Sequence, residues 1–365
     1  MNKVYVNLII ILLILVVILI WYVTTLPSKH DPLITEDFIH KWLKNENGTL
    51  ATYILEGETV DEDLVKGREV LSETIGLWMQ YAFEKDDQVL FDKSYQLLHQ
   101  YFVKKDGFVN WKLNEKGNSE VSTNALIDDL RLASILLKAS DQWNDKRYKG
   151  TASIIIDYVE EYNVNKGVFT DFYEREDKYA SEFITLSYID AKGLKHIESE
   201  LHLPPNLVDS TISVLSNAPL DNGFYPKAYN VEEKKYQYDD DINLVDQALI
   251  ALHQAEFGMG SEEFLQFIKS EMDKNGIIYG VYNRNTKQPA VDYQSPAIYG
   301  ITIMYCLEVG EHQLANDIYK QMIKFQEGRK GNQYYGGFSI HEGDTHIFDN
   351  LLPLLSKQQI REKKK

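Results

Sequence analysis

One acid stands at the start of an amphipathic stretch, Ser72-Glu-Thr-Ile-Gly-Leu-Trp-Met79, with Ser72 placed to cap a helix and Glu73 inside its first turn. A carboxyl at a helix entrance can be structural. Ser72 would then accept a bond from an early backbone amide, while Glu73 complements the positive end of the helix dipole for a few tenths to ~1 kcal/mol. Position 75 is Ile rather than Glu or Gln, so the reciprocal capping box is missing. It can equally be a proton donor, and a donor needs a second acid. Tyr236-Gln-Tyr-Asp-Asp-Asp-Ile-Asn-Leu-Val245 offers Asp239, Asp240 and Asp241 entering another helix, one of them expected to cap it. Asp128 and Asp129 lie within a third helix, where adjacent side chains point about 100° apart, so one of the two should face inward. A buried Asp needs a partner, and Arg131 or a ligand hydroxyl could serve.

Aromatic side chains are the second resource. The chain has 24 Tyr, 15 Phe and 5 Trp, many in loops beside Asp, Asn and Gly, a mixture on which the apolar faces of sugar rings could stack. Trp42, Phe83 and Tyr319 have helical spacing and read as core. Trp111, preceded by Gly107 and Asn110 and followed by Lys112, reads as a binding platform, and Trp78 fits either role.

The elements that must hold these residues are helices. Apolar residues recur at helical spacing in 33–43, 72–83, 88–102, 123–137, 148–162, 206–215, 242–256, 261–273, 296–308, 313–327 and 345–355, with a short segment near 191–200, giving about twelve helices. Segments rich in Gly, Asn, Asp and aromatics lie between them at 107–112, 167–173, 222–229, 276–282 and 332–338, and read as short strands or hairpin loops. Their recurrence within each helix-loop-helix unit predicts an all-α toroid of six helical hairpins whose aromatic loops gather on one side. An open solenoid of the same hairpins is the competing solution, but neither end of the soluble part looks like a polar capping repeat.

Residues 4–23 are almost wholly apolar, with Asn7 the one strongly polar residue, and 20 such residues suffice to cross about 30 Å of hydrocarbon. Trp21 and Tyr22 sit at the exit end, as interfacial rings do. We therefore divide the chain into a short tail (1–3), a single-pass signal anchor in the cell membrane (4–24), a tether (25–31), one domain facing outside (32–360) and a basic tail (361–365). Cys306 is the only cysteine, so neither an internal disulfide, a Cys-rich metal site nor a lipid-bearing cysteine close to the span is available. A net charge of −17, from 38 basic and 55 acidic residues, argues against nucleic acid as a partner.

The order of these pieces resembles glycoside hydrolase family 8 over most of the soluble chain. Val70-Leu-Ser-Glu-Thr-Ile-Gly-Leu-Trp-Met79 is similar to the block that carries that family's general acid, with Thr74 in place of a Gly and Leu77-Trp78 in place of Tyr-Gly. Leu90-Phe-Asp92 and Asn110-Trp-Lys112 fall where the family has a Phe-Asp pair and a Trp-Lys pair. Residues 124–137 resemble its Asp-rich helix, with Asp129 the best match to a substrate-positioning aspartate. Leu186-Ser-Tyr-Ile-Asp190 and Ser295-Pro-Ala-Ile-Tyr299 look like two further segments. Asp240-Asp-Ile-Asn-Leu-Val245 stands where an Asp-x-x-Arg-x-Pro block holds the base, with Asn243 in the Arg place. The resemblance implies an (α/α)6 barrel and an inverting, endo-acting hydrolase of a β-linked polysaccharide, expected to be the cell's own exopolysaccharide. Glu73 would be its general acid and Asp240 its general base, with Asp239 or Asp241 as alternates. Trp78, Trp111, Asp128, Asp129, Tyr188 and Tyr238 would contact substrate, and no cofactor or metal is implied. The rival expectation is a membrane-tethered glycan-binding protein of the same fold with weakened catalysis, suggested by Asn243 and the thinned aspartate helix.

Overall fold

The computed structural model describes residues 30–57, 65–119 and 121–363. The expected membrane span at 4–24 lies outside the described residues, and among those described no helix is long and apolar enough to cross a membrane. Among the described residues twelve α-helices follow in order: α1 (Pro32–Trp42), α2 (Ser72–Glu84), α3 (Gln88–Leu97), α4 (Leu126–Trp143), α5 (Lys146–Tyr162), α6 (Ala191–Leu201), α7 (Pro205–Ser216), α8 (Leu244–Glu256), α9 (Glu262–Asn275), α10 (Pro296–Glu308), α11 (His312–Met322) and α12 (Phe348–Glu362).

The even-numbered helices form a closed inner ring, each packed on the next: α2 on α4, α4 on α6, α6 on α8, α8 on α10, α10 on α12, and α12 back on α2. Outside them α1 packs on α12, α3 on α2, α5 on α4, α7 on α6 and α8, and α11 on α10. Closure excludes the open solenoid. α10 shows what an inner position demands of a sequence. Its thirteen residues, PAIYGITIMYCLE, are buried almost all round, and Gly300 permits a contact with α12 in which a Cβ would meet the Leu352 carbonyl carbon at 2.7 Å.

Connection lengths decide where the site must be. Inner helices pass to outer ones through links of two to five residues, at 85–87, 144–145, 202–204, 257–261 and 309–311. Outer helices return to inner ones through long segments at 43–71, 103–125, 163–190, 217–243, 276–295 and 323–347. Short links make neighbours antiparallel, so every inner helix begins at the same end of the barrel, under all the long segments. Those segments carry eleven short strands among the described residues. β1 (Val70–Leu71) pairs with β2 (Lys112–Leu113). β3 (Val164–Asn165) pairs with β4 (Val168–Phe169), and β5 (Tyr173–Glu174) with β6 (Tyr179–Ala180). β7 (Phe183–Thr185), β8 (Ala228–Asn230) and β9 (Lys235–Gln237) form one antiparallel sheet, and β10 (Asp241–Asn243) pairs with β11 (Val281–Asn283). The aromatic segment 332–338 forms turns rather than a strand, with one isolated bridge between Phe338 and Gln326.

Several helix starts differ from expectation for reasons of capping. α8 begins at Leu244, not at residue 242, because the Asn243 side chain accepts the Val245 amide at 2.9 Å and 241–243 are committed to a strand pair. None of Asp239, Asp240 and Asp241 caps it. Ser72 likewise does not cap α2: it is the first helical residue, Leu71 takes the cap position, and the hydroxyl of Ser72 turns to a buried carboxylate on α4.

Candidate active site

The entrance of α2 is fixed from two sides. The β1–β2 pair sets Leu71 opposite Lys112, and the Ser72 amide donates to the Trp111 carbonyl at 2.9 Å. The Ser72 hydroxyl donates to Asp128 Oδ2 at 2.5 Å. Asp128 Oδ1 receives Arg131 at 2.9 Å, and the same guanidinium lies 3.6 Å from Glu73 Oε1. A Cβ on Gly76 would stand 3.1 Å from Arg131 Cδ, so the missing side chain on α2 is what lets the arginine lie across this helix.

Glu73 projects into the barrel with its side chain 30% exposed. Burial is the main cause that pushes its pKa up to about 7. Arg131 opposes the shift, whereas Asp128 and Asp246 add to it. A helix N-terminus favours the carboxylate, so here desolvation and neighbouring negative charge prevail over the dipole. Asp128 is 5% exposed and also raised by burial, against the pull of Arg131, Ser72 and the Glu73 amide.

Opposite stands Asp246, in the first turn of α8, accepting Ser187 Oγ at 3.0 Å. Burial raises its pKa, with Ser187 and Lys227 pulling down and Asp239 pushing up. Asp171 accepts the Thr185 amide at 2.7 Å and the Thr185 hydroxyl at 2.8 Å; burial raises it to about 6. Tyr188 ties the cluster together. Its phenol is raised by burial first and then by Asp171, Asp128, Glu73 and Asp246, so all four carboxyls surround it.

Trp111 lies above this floor, half-buried, with Nε1 donating to Thr123 Oγ1 at 3.0 Å and the Lys112 ammonium 5.4 Å from its ring centre. Beneath the carboxyls the ring of inner helices encloses an axial cavity of about 530 Å³, bounded at this end by Glu73, Ile127, Arg131, Val245, Ala297 and Phe348.

The structure thus places Glu73, Trp111, Asp128 and Tyr188 near one another and three other candidate residues elsewhere. Asp129 is 1% exposed and accepts Asn124 at 2.5 Å, about 100° round α4 from Asp128. Trp78 is 4% exposed and packs between His40 and Tyr81, with ring centres 5.2 and 5.5 Å away. Five residues beyond Glu73 is about 140° round the helix, so Trp78 faces α1 and not the barrel axis. Tyr238 donates to the Pro219 carbonyl and carries Arg284 over its ring at 5.0 Å, out on the β9–β10 connection.

Asp239 and Asp240 lie in that same connection, and Asp241 opens β10. Asp240 is 83% exposed and paired with Arg284 at 3.2 Å, Asp239 pairs with Lys227 at 3.2 Å, and Asp241 accepts Asn283 at 3.1 Å. None of the three contributes to the field at Glu73. Sequence reasoning passed over Asp246, Asp171 and Ser187. The signal for Asp246 was an acid in the first turn of an inner helix, the position that Glu73 holds on α2. Asp171 had no such signal, since its place depends on the β7 pairing.

Residues 50–171, which include Glu73, Trp111 and Asp128, match the family model described as Glycosyl hydrolases family 8. A Bacillus subtilis (strain 168) protein named "Putative lipoprotein YdaJ" is 36% identical over 327 residues, spanning 89% of this chain and 86% of its own length. Among solved structures, one described as a novel alpha-amylase from Clostridium perfringens shares 25% identity at a TM-score of 0.82, covering 90% of this chain and 98% of that one. PssZ from Listeria monocytogenes shares 24% identity at 0.72, with 88% and 94% covered. Endoglucanase Cel10, a family 8 glycosyl hydrolase from Klebsiella pneumoniae, shares 18% at 0.60, with 90% and 100% covered.

Proposed function

The chain belongs to glycosyl hydrolases family 8 and is a glycosidase; from that premise we propose that it is an inverting, endo-acting hydrolase of a β-linked polysaccharide, with Glu73 as general acid and Asp246 as general base. One observation carries the reading. Asp246 is near enough for its charge to raise Glu73, yet the two share no hydrogen bond or common cation. Inverting hydrolysis needs roughly 6.5 to 9.5 Å between the two carboxyls, to seat a water on the far face of the sugar, and this reading requires that spacing of Glu73 and Asp246. Protonated Glu73 gives its proton to the leaving glycosidic oxygen. Asp246 takes one from the water that attacks the anomeric carbon, and Arg131 holds Asp128 in place while moderating the shift on Glu73.

Asp240 remains the base that the resemblance selects, and one experiment separates the two. Loss of product release in Asp246→Asn with Asp240→Asn unaffected supports the geometric assignment, and the reverse pattern overturns it. NMR of the first-formed anomer tests inversion in the same samples.

Substrate is a further proposal. The cell's own exported polysaccharide suits an enzyme held at the membrane, facing outside. The apolar run at 4–23 supports such an anchor, as does a relative with lipoprotein in its name. A second reading, an α-linked glucan, is favoured by the fold's likeness to the Clostridium perfringens structure. Digesting purified exopolysaccharide beside carboxymethyl-cellulose and starch decides between them, and cleavage of starch alone would sink the β-linked reading.

A further inference from the structure

Adjacent residues of α2 face two different cavities. Glu73 looks into the barrel, while Thr74, Ile75 and Trp78 line a second pocket of about 260 Å³ between α1, α2 and α3. Its wall is largely apolar, from Leu50, Val70, Ile75, Trp78, Leu90 and Phe102. No Asp or Glu lines it, in a chain of net charge −17. Lys44 and Lys93 stand exposed at its rim, and neither ammonium is hydrogen-bonded or ion-paired to another described side chain. Thr74 is 0% exposed, and its Oγ1 has no hydrogen-bond partner. Buried polar atoms in folded proteins are nearly always paired, so this hydroxyl marks a place where a ligand oxygen would be held.

We propose that this pocket binds a single-chain amphiphile that carries an anionic end and one further oxygen, such as a hydroxylated alkyl carboxylate. Lys44 and Lys93 take the anion, the apolar wall takes the chain, and Thr74 pairs with the second oxygen. A mostly apolar recess with a few convergent polar groups is the usual form of a small-molecule site. The ligand therefore rests on the helix whose other face carries Glu73.

Calorimetric titration of the full-length protein with 3-hydroxydecanoate, decanoate and decyltrimethylammonium tests the assignment. One-site binding is expected for the two carboxylates, weaker by about tenfold, or 1.4 kcal/mol, for decanoate, and no binding for the cation. Lys44→Glu/Lys93→Glu should abolish binding while leaving glycosidase activity and circular dichroism unchanged, since both side chains are exposed. Thr74→Val should erase the difference between the two carboxylates. Should Thr74→Val fail to fold, Leu97→Trp, which fills the pocket from α3, should abolish binding by both. No saturable binding, equal binding of the cation, or binding by the lysine-reversed variant would overturn the proposal. So would attachment to phosphatidylglycerol vesicles without uptake of the free carboxylates, which would mark a membrane-facing patch instead of a pocket.

Discussion

Two carboxyls at opposite ends of one axial cavity are both held near neutrality by burial. Glu73, in the first turn of α2, and Glu256, the last residue of α8, are each pushed up to about 7. Their surroundings differ in kind. Around Glu73 stand a second acid from α8, an arginine from α4, and a tyrosine and an indole from the long segments 163–190 and 103–125. Around Glu256 stand the charges of Asp190 and Lys192 at the start of α6, Lys138 on α4 and Glu308 at the end of α10. A perturbed carboxyl is a pointer to function, and what sets Glu73 apart is the tyrosine and the indole that two long segments bring beside it.

The sharpest test is substitution at both ends. Glu73→Gln is expected to lower kcat by about 10² to 10⁴, the usual scale for a general acid, whereas Glu256→Gln should leave kcat within about twofold; initial rates of reducing-sugar release measure both. An equal loss in the two variants would dissolve the distinction. Next in size is the pH profile. A donor must be protonated, so kcat/KM should fall as pH rises through about 7, the value at Glu73. Arg131→Met removes the charge that holds that value down, and so should move the alkaline limb upward; a limb that moves downward would show that the acid lies elsewhere. A smaller effect belongs to Trp111→Ala, expected to raise KM several-fold with kcat less affected, while Trp78→Phe should alter melting temperature and not KM.

The smallest effect concerns stability, and it is read at Glu256, which the proposed mechanism does not use. Glu256 has a folded pKa of about 7, above its ordinary value of 4.5. The folded state therefore binds this proton more tightly, and the stabilisation present below about 4.5 is lost as pH rises to about 7. Glu256→Gln stays neutral and should be more stable than the parent at pH 8, on the order of 1–2 kcal/mol, with little difference at pH 4. Denaturant midpoints at the two pH values check this.

The toroid was legible because its helices carry strong apolar periodicity and its breaks fall at Gly, Asn and Asp. Glu73 and Trp111 were legible because each sits at a boundary that sequence marks well: a helix entrance and the loop before a strand. Asp129 was preferred to Asp128 by likeness of pattern, but a difference of one residue turns a side chain by about 100°, and only the packing of α4 against α2 decides which one looks inward. Trp78 fails for the same angular reason. The aspartates at 239–241 drew notice as a run, yet the β10–β11 pairing carries them to the surface, where Lys227, Arg284 and Asn283 take them up. Asp171 and Ser187 reach the site through β7 and the turn after it, pairings between segments more than 40 residues apart that no local pattern encodes.

Gly76 sets a limit on how this protein can be hardened. Replacing a helical glycine with alanine ordinarily gains up to ~1 kcal/mol, and α2 would seem to invite the exchange. Here the new methyl would press on Arg131 at 3.1 Å and tilt the guanidinium that lies between Asp128 and Glu73. Engineering or drift toward a stiffer α2 should therefore leave this position alone, so the weakest helix-former in α2 is the one that the chemistry keeps from improvement.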